Sequence, residues 1–338
     1  MLQALRIRFV VAVAILGASA ILGGSAWAQV NPYNECQSWG QLPEGRTWGN
    51  VTGVGIDRHG NVWVVDRCGV KTKDPCVHSN VAPIMEFDST GKFLKSFGAG
   101  IFVSPHSLYV DRNDNVWVAD ETAKDGKGNQ VIEFSPEGKV LLTLGTAGVY
   151  GVGPDTFSGV VDMVVAPNGD IFVADGHQFP PNTNTRVMKF SKDGKFIKAW
   201  GKPGTTAPGE FQELHAIAMD STGRVFVGDR ANGRIQIFDQ DGKFLDQWKQ
   251  FGQPRGIFID AKDTMYVTNQ AVSDSGQKSD ISRGIRIANT KDGVVTGYLP
   301  PLGPELQDKS TQMRVAADAD GNLYVADFIA ELRKCVKK

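Results

Sequence analysis

Between residues 50 and 330 one pattern returns six times: a short apolar run, a tight turn, and a second apolar run that ends in Asp or Asn. The copies are VTGVGIDRHGNVWVVD ending at Asp66, HSLYVDRNDNVWVAD at Asp120, VDMVVAPNGDIFVAD at Asp175, AIAMDSTGRVFVGD at Asp229, GIFIDAKDTMYVTN at Asn269 and RVAADADGNLYVAD at Asp327, spaced 40 to 58 residues apart. The first five are followed by a second half, as in IMEFDSTGKFLKSFG or RIQIFDQDGKFLDQW. Short runs rich in β-branched and aromatic residues, closed by Asp, Ser and Gly turns, are antiparallel strands. Each repeat therefore supplies four strands, called A to D. A lone four-stranded sheet cannot bury both of its faces, whereas radial stacking can, so the chain is predicted to be an all-β, six-bladed β-propeller of four-stranded antiparallel blades.

The last repeat stops after ELRKCVKK, which aligns with RIQIF and supplies a strand C with no D. The missing strand is found at the N-terminus, where CQSWG matches IKAWG of residues 197–201. An N-terminal strand completing the last blade would close the ring and set Cys36 beside Cys335, within disulfide reach. Cys68 and Cys76 share one loop, CGVKTKDPC, and form the second expected pair. Disulfides rather than metal thiolates are expected because the chain opens like an exported protein. Arg6 and Arg8 precede an apolar run from Phe9 to Leu22 and an Ala26-Trp27-Ala28 cleavage pattern. An uncleaved anchor is the alternative, but the run is shorter than the ~20 residues a span needs. Residues 1–28 are thus expected to be a signal peptide and 29–338 the propeller, with a periplasmic or secreted location, no membrane span after cleavage, and a monomeric state. Cleavage removes two Arg and takes the formal charge from −1 to −3. A mildly acidic chain without a basic stripe is a poor partner for nucleic acid.

Turn lengths identify the working face. The A–B and C–D turns are tight, whereas the B–C and D–A connections carry insertions at 67–82, 121–129, 146–159, 176–185, 202–213 and 270–283. In an up-and-down blade these two kinds of connection emerge on one side, where a site is sought. His59 falls in a tight turn on the far face and His78 in the small Cys loop, and both read as solvated. His106 in SPHSLYVD and His215 in ELHAIAMD hold the same repeat position at the start of strand A, so both are expected to line a solvent-filled axial mouth. His177 follows Asp175-Gly176 on the same face, and Arg230 ends a strand B as Arg67 does. Imidazoles at equivalent positions of different blades suit a zinc or copper ion, or merely cap the central channel by bonding to backbone. The pairs Gly53-Val-Gly55 and Gly151-Val-Gly153 lack the third glycine and helix of a dinucleotide loop, and neither GxSxG nor HExxH occurs.

The segments IFVADGHQ, NTRVMKFSKDGKFIKAWG and GEFQELHAIAMDSTGRVFVGDRANGRIQIF resemble the NHL-type propeller of the peptidyl-α-hydroxyglycine α-amidating lyases. The resemblance is coarse over about 50–330 and close over about 160–240. It implies a zinc held by three inner-strand histidines, an Arg and a Tyr acting on the substrate, and an axial calcium. Carried over, it makes His106 and His215 zinc ligands and Arg67, in VVDRCG, the substrate Arg, with Val54 and Leu108 placing carbonyls toward calcium. Three positions depart: Met313 stands at the third histidine, Arg314 at the calcium-binding Asp, and His177 at the tyrosine. Methionine is a soft ligand that suits copper better than zinc. A fixed guanidinium at Arg314 repels a dication, so calcium is not expected, and it can bond the same carbonyls instead.

Two function classes follow. In one, a metal on His106 and His215, with Met313 as a further candidate ligand, acts as Lewis acid on a small carboxylate-bearing substrate; Arg67 orients the carboxylate and His177 serves as acid or base, in lyase-like chemistry. In the other, the propeller holds a peptide or protein partner through its long loops and catalyses nothing. Arg67, His106 and His215 all fall on one face, which favours the enzyme.

Overall fold

Alternating runs such as Val62–Asp66 and Val225–Asp229 are buried along their whole length, because neighbouring blades cover both faces of the sheet they belong to. The structure, a computed structural model, describes residues 30–70, 75–177, 184–271, 276, 278–301, 312–329 and 331–338. The expected signal peptide lies outside the described residues. Among the described residues the strands form six four-stranded antiparallel sheets, five of them in the chain order A to D from the axis outward, and Lys202–Pro203 pairs with Glu210–Phe211 as a separate short parallel sheet. Strands A are Val51–Ile56, Pro105–Val110, Val160–Val165, Leu214–Met219, Gln253–Ile259 and Gln312–Ala317, and define blades 1 to 6. Blade 6 takes its outer strand from the N-terminus: Gln37–Ser38 pairs antiparallel with Glu331–Cys335, with Gln37 opposite Lys334 and Ser38 opposite Arg333.

The core lies between blades. Apolar clusters bridge consecutive sheets, as Val161, Phe172 and Val187 of blade 3 pack with Ile217, Val227 and Phe238 of blade 4. Gly53 shows how closely inner strands approach: a Cβ there would sit 2.5 Å from the backbone nitrogen of Leu108. The Gly-Val-Gly pattern is therefore a packing feature between blades 1 and 2.

At the top of every strand A the pairing with strand B skips one residue. The skipped residues are Thr52, His106, Val161, His215, Arg255 and Met313, one per blade. A bulge of this kind re-aims the extra residue out of the ladder. Two of the six are the histidines singled out by repeat position.

Cys36 is bonded to Cys335 and Cys68 to Cys76. The first bridge spans 299 residues of sequence and the second 8. Loop-entropy reasoning gives about 6 kcal/mol for the long loop and about 2.5 kcal/mol for the short one. Replacing Cys36 and Cys335 by Ala should therefore lower the stability measured by urea unfolding more than replacing Cys68 and Cys76, and a reversed order would show that the terminal strand does not hold the ring.

Candidate metal centre

His106 and His215 leave their bulges with both ring nitrogens defined. His106 Nδ1 lies 2.9 Å from the carbonyl of Val161, the bulge residue of blade 3. His215 Nδ1 lies 2.7 Å from the carbonyl of Arg255, the bulge residue of blade 5. A carbonyl oxygen only accepts, so each Nδ1 carries the proton and each Nε2 carries the lone pair. His215 Nε2 is buried and has no hydrogen-bond partner among the described residues. His106 Nε2 lies 3.6 Å from Glu121 Oε2.

His177 joins them from the loop after strand B of blade 3. Gly159 allows this approach: its carbonyl accepts the backbone N–H of Gly176 and of His177, it adopts φ +123°, and a Cβ on it would meet the His177 carbonyl at 2.7 Å. The ring centroids of His106, His177 and His215 stand 4.7 to 5.1 Å apart. One nitrogen from each falls within 4.8 Å of the others. Met313 holds the equivalent bulge position in blade 6 and is buried. His59 and His78 are exposed, beside Asp114 and Asp125.

The histidines do not line a solvent-filled mouth. His106 is 1% exposed and His215 is 0% exposed. Burial lowers both far below the ordinary imidazole range; for His106 the nearby Glu121 opposes this, and for His215 the Arg230 charge adds to it. Both are neutral at pH 7. Solvent reaches the cluster on the side of Arg67, Glu121 and His177, whose side chains are 11, 12 and 11% exposed.

Charge pairs surround the rings. Arg67 is paired with Glu121, stacks over the Phe328 ring, and keeps its Nε without an acceptor. Glu121 also accepts from Ser104 Oγ at 3.0 Å and faces His177 Nδ1 at 3.1 Å. Burial would raise the Glu121 carboxyl, but the Arg67 charge and the hydrogen bond from His177 outweigh it and hold the group well below the carboxylate range. Arg230, fully buried, faces Glu213 Oε2 at 3.3 Å and His177 Nε2 at 3.3 Å. Below the histidines Arg314 faces Asp162 at 3.5 Å and donates to backbone carbonyls. Val54 and Leu108 line a cavity of about 80 Å³ on the axis together with Arg314 and Asp162.

Sequence reasoning missed Glu121, Glu213 and Asp162. Glu121 was within reach, because it follows Asp120 as Arg67 follows Asp66 and Arg230 follows Asp229. Nothing in the repeat marks Glu213, which sits at φ +54° in an insertion.

The NHL repeat family model matches residues 211–238. Peptidyl-glycine alpha-amidating monooxygenase B of Xenopus laevis is 33% identical over 204 residues, 55% of this chain and 22% of that protein. Peptidyl-alpha-hydroxyglycine alpha-amidating lyase 1 of Drosophila melanogaster is 34% identical over 172 residues, 46% of this chain and 29% of that protein. The chain thus spans less than a third of either relative. In fold it is similar to a gluconolactonase from Xanthomonas campestris, with a TM-score of 0.58 at 14% identity over 87% of each chain. The chain is a six-bladed propeller with an NHL repeat, similar over part of its length to the peptidyl-α-hydroxyglycine α-amidating lyases.

Proposed function

We propose that this propeller is an exported, monomeric, metal-dependent enzyme that performs lyase-like chemistry on a small carboxylate-bearing substrate at the axial site. The observation that carries the reading is the buried, unpartnered Nε2 of His215, aimed into a cluster of three imidazoles. A buried acceptor left unmet costs about 1–3 kcal/mol, and a metal ion is one partner that removes the cost. The donor set fits: two neutral imidazoles have Nδ1 fixed on backbone carbonyls, the second sphere typical of metal-binding histidine.

In this reading His106 and His215 hold the ion. Met313 is the further donor if it is copper, and His177 or water if it is zinc. The bound ion supplies Lewis acidity toward a substrate oxygen. Arg67, with an unused N–H beside the solvent-reached edge, binds the substrate carboxylate. His177 moves the proton: Glu121 at Nδ1 orients the ring and stabilises it while it is charged, and Nε2 exchanges the proton once substrate displaces the Arg230 contact. The low exposure of the cluster excludes bulk water and strengthens each of these interactions. The two disulfides and the secreted character expected of the chain agree with an oxidising compartment. Among the described residues no helix is long and apolar enough to cross a membrane. Arg314 occupies the axis as a cation, so no calcium is assigned there.

Protein purified without chelators is expected to carry roughly one zinc or copper ion per chain by elemental analysis, and His215→Ala to lose it while staying folded. Wild type without metal that captures a peptide or protein through its long loops would establish the binding-module reading instead. Arg67→Ala should raise KM for a carboxylate substrate by about ten- to a hundredfold, because a charge-assisted contact is worth about 1.5–3 kcal/mol.

The depressed histidines also set a pH dependence for the metal-free protein. The unfolded chain binds protons at both histidines as pH falls through about 6.5, and the native chain does not. Their contribution to stability is complete above that value and is lost below it, by about 1.4 kcal/mol per pH unit for each ring. Asp120 and Asp175, raised by burial to about 7, and Asp229, raised to about 6, act with the opposite sign. Comparison with His215→Gln isolates the ring: between pH 6.5 and 5 the metal-free wild type should lose roughly 1.4 kcal/mol per unit relative to the variant, read from urea midpoints. Parallel curves would mean that His215 is protonated in the native state.

A further inference from the structure

We propose that Arg314 is a positioning residue for the metal centre: it holds from below the two carbonyl groups that fix the tautomer and direction of His106 and His215. The inference rests on the reading of those histidines as ligands, and its test judges the two ideas separately.

Arg314 is buried, one residue beyond the bulge of blade 6. Its guanidinium reaches carbonyls of four blades. Nη1 donates to Arg255 O of blade 5 at 2.5 Å and to Met313 O of blade 6 at 3.1 Å. Nη2 donates to His215 O of blade 4 at 2.9 Å and to Val161 O of blade 3 at 3.4 Å. Val161 O and Arg255 O are also the acceptors for His106 Nδ1 and His215 Nδ1. Each of these oxygens has two lone pairs, one for a histidine and one for Arg314.

The chemistry of the axis explains why a fork is needed. Bulges free these carbonyls from the sheet ladder and turn them inward, where four oxygens with no donor between them would repel. A planar guanidinium spreads the N–H groups of Nη1 and Nη2 and one charge across them; an ammonium is a point donor and cannot span blades 3 to 6. Asp162 Oδ2, 3.5 Å from Nη2, balances the charge and accepts the backbone N–H of Ile217, which ties blade 3 to blade 4. Arg314 Nη1 also lies 3.4 Å from His215 Nδ1, but this is not a hydrogen bond to the ring. With Nδ1 at 2.7 Å from Arg255 O, a proton must lie between them, since two lone pairs at that distance would repel. The carbonyls therefore dictate Nδ1–H on both rings, and Arg314 dictates where the carbonyls stand.

The test uses the full mature chain, free of metal and labelled with 15N at histidine, with resonances assigned through His106→Gln and His215→Gln. Wild type should show the Nδ1–H tautomer at both rings. Arg314→Lys, which keeps the charge opposite Asp162, should show mixed tautomers at His106 and His215. His177, whose Nδ1 faces Glu121 rather than these carbonyls, should keep its pattern and so report that the site is otherwise intact. Zinc titration of the same samples should show about a 10- to 100-fold loss of affinity, the usual effect of removing an outer-sphere partner. If Arg314→Lys does not fold, the double variant Arg314→Met with Asp162→Asn, which removes both buried charges, is read in its place. A folded variant with wild-type tautomers at both rings overturns the proposal. Wild type that binds neither zinc nor, in a parallel titration, copper would overturn the ligand reading alone, leaving the tautomer spectra to judge Arg314.

Discussion

The axial site depends on one hydrogen bond repeated around the ring. The aspartate that closes strand B is buried and accepts backbone N–H groups from the segment leading into strand A of its own blade. Asp66 takes Gly49, Asp120 takes Val103 and Ser104, Asp175 takes Ser158, and Asp229 takes Gln212, at 2.6 to 2.8 Å. The clamp fixes two points of each of these four blades at once. One is the start of strand A, where the bulge delivers His106 or His215. The other is the residue after the aspartate, which is Arg67, Glu121 or Arg230. Ligand candidates and charged residues thus reach the axis from one repeated constraint. Blade 5 carries Asn269 instead, which accepts from Arg286 and donates to Ser282 O, and it is reached after the shortest of the five spacings.

The pairs Arg67 with Glu121, Arg230 with Glu213, and Arg314 with Asp162 are not explained by stability. Removing a charge from water costs several kcal/mol, and a buried pair seldom returns more than an apolar substitute would. Apolar residues already fill the space between blades, so the pairs are concentrated where apolar packing stops. What they supply is a fixed field. Burial keeps His106 and His215 neutral and the guanidinium groups near them add to it, favouring an anion at the rim, while the carboxylates limit the repulsion between the cations.

The fold was readable because its signal is periodic. Strand phase, tight turns and the terminal strand all follow from a repeat that must bury two faces of every sheet. His106 and His215 were readable for the same reason, since equal repeat position means equal place on the ring. Their burial was not: exposure depends on what surrounds a position, and Glu121, Arg230 and His177 cover these two. Glu213 escaped because an inserted loop has no counterpart to align with, and Asp162 because its repeat position holds Gly53, Ser107, Ala216, Gly256 and Arg314 in the other blades, with no shared chemistry to mark it. Arg314 could be recognised as a cation on the axis, but its shared acceptors depend on bulges that a linear pattern does not display.

Repeat position draws the third donor from a different place than the cluster of imidazoles does. His106, His215 and Met313 belong to blades 2, 4 and 6, evenly spaced around the axis. The imidazoles that come together belong to blades 2, 3 and 4, on one side of it. Arg314 accounts for the asymmetry. A guanidinium spread across the carbonyls of blades 3 to 6 puts a permanent positive charge on the axis, and Coulomb repulsion disfavours a second cation close to it. Glu121, on the blade 2 side, supplies the nearest compensating negative charge to His106 and His177. In the proposed reading, the cation that fills the axis thus places the favourable position for a metal outward, toward the rim where Arg67 and His177 meet solvent.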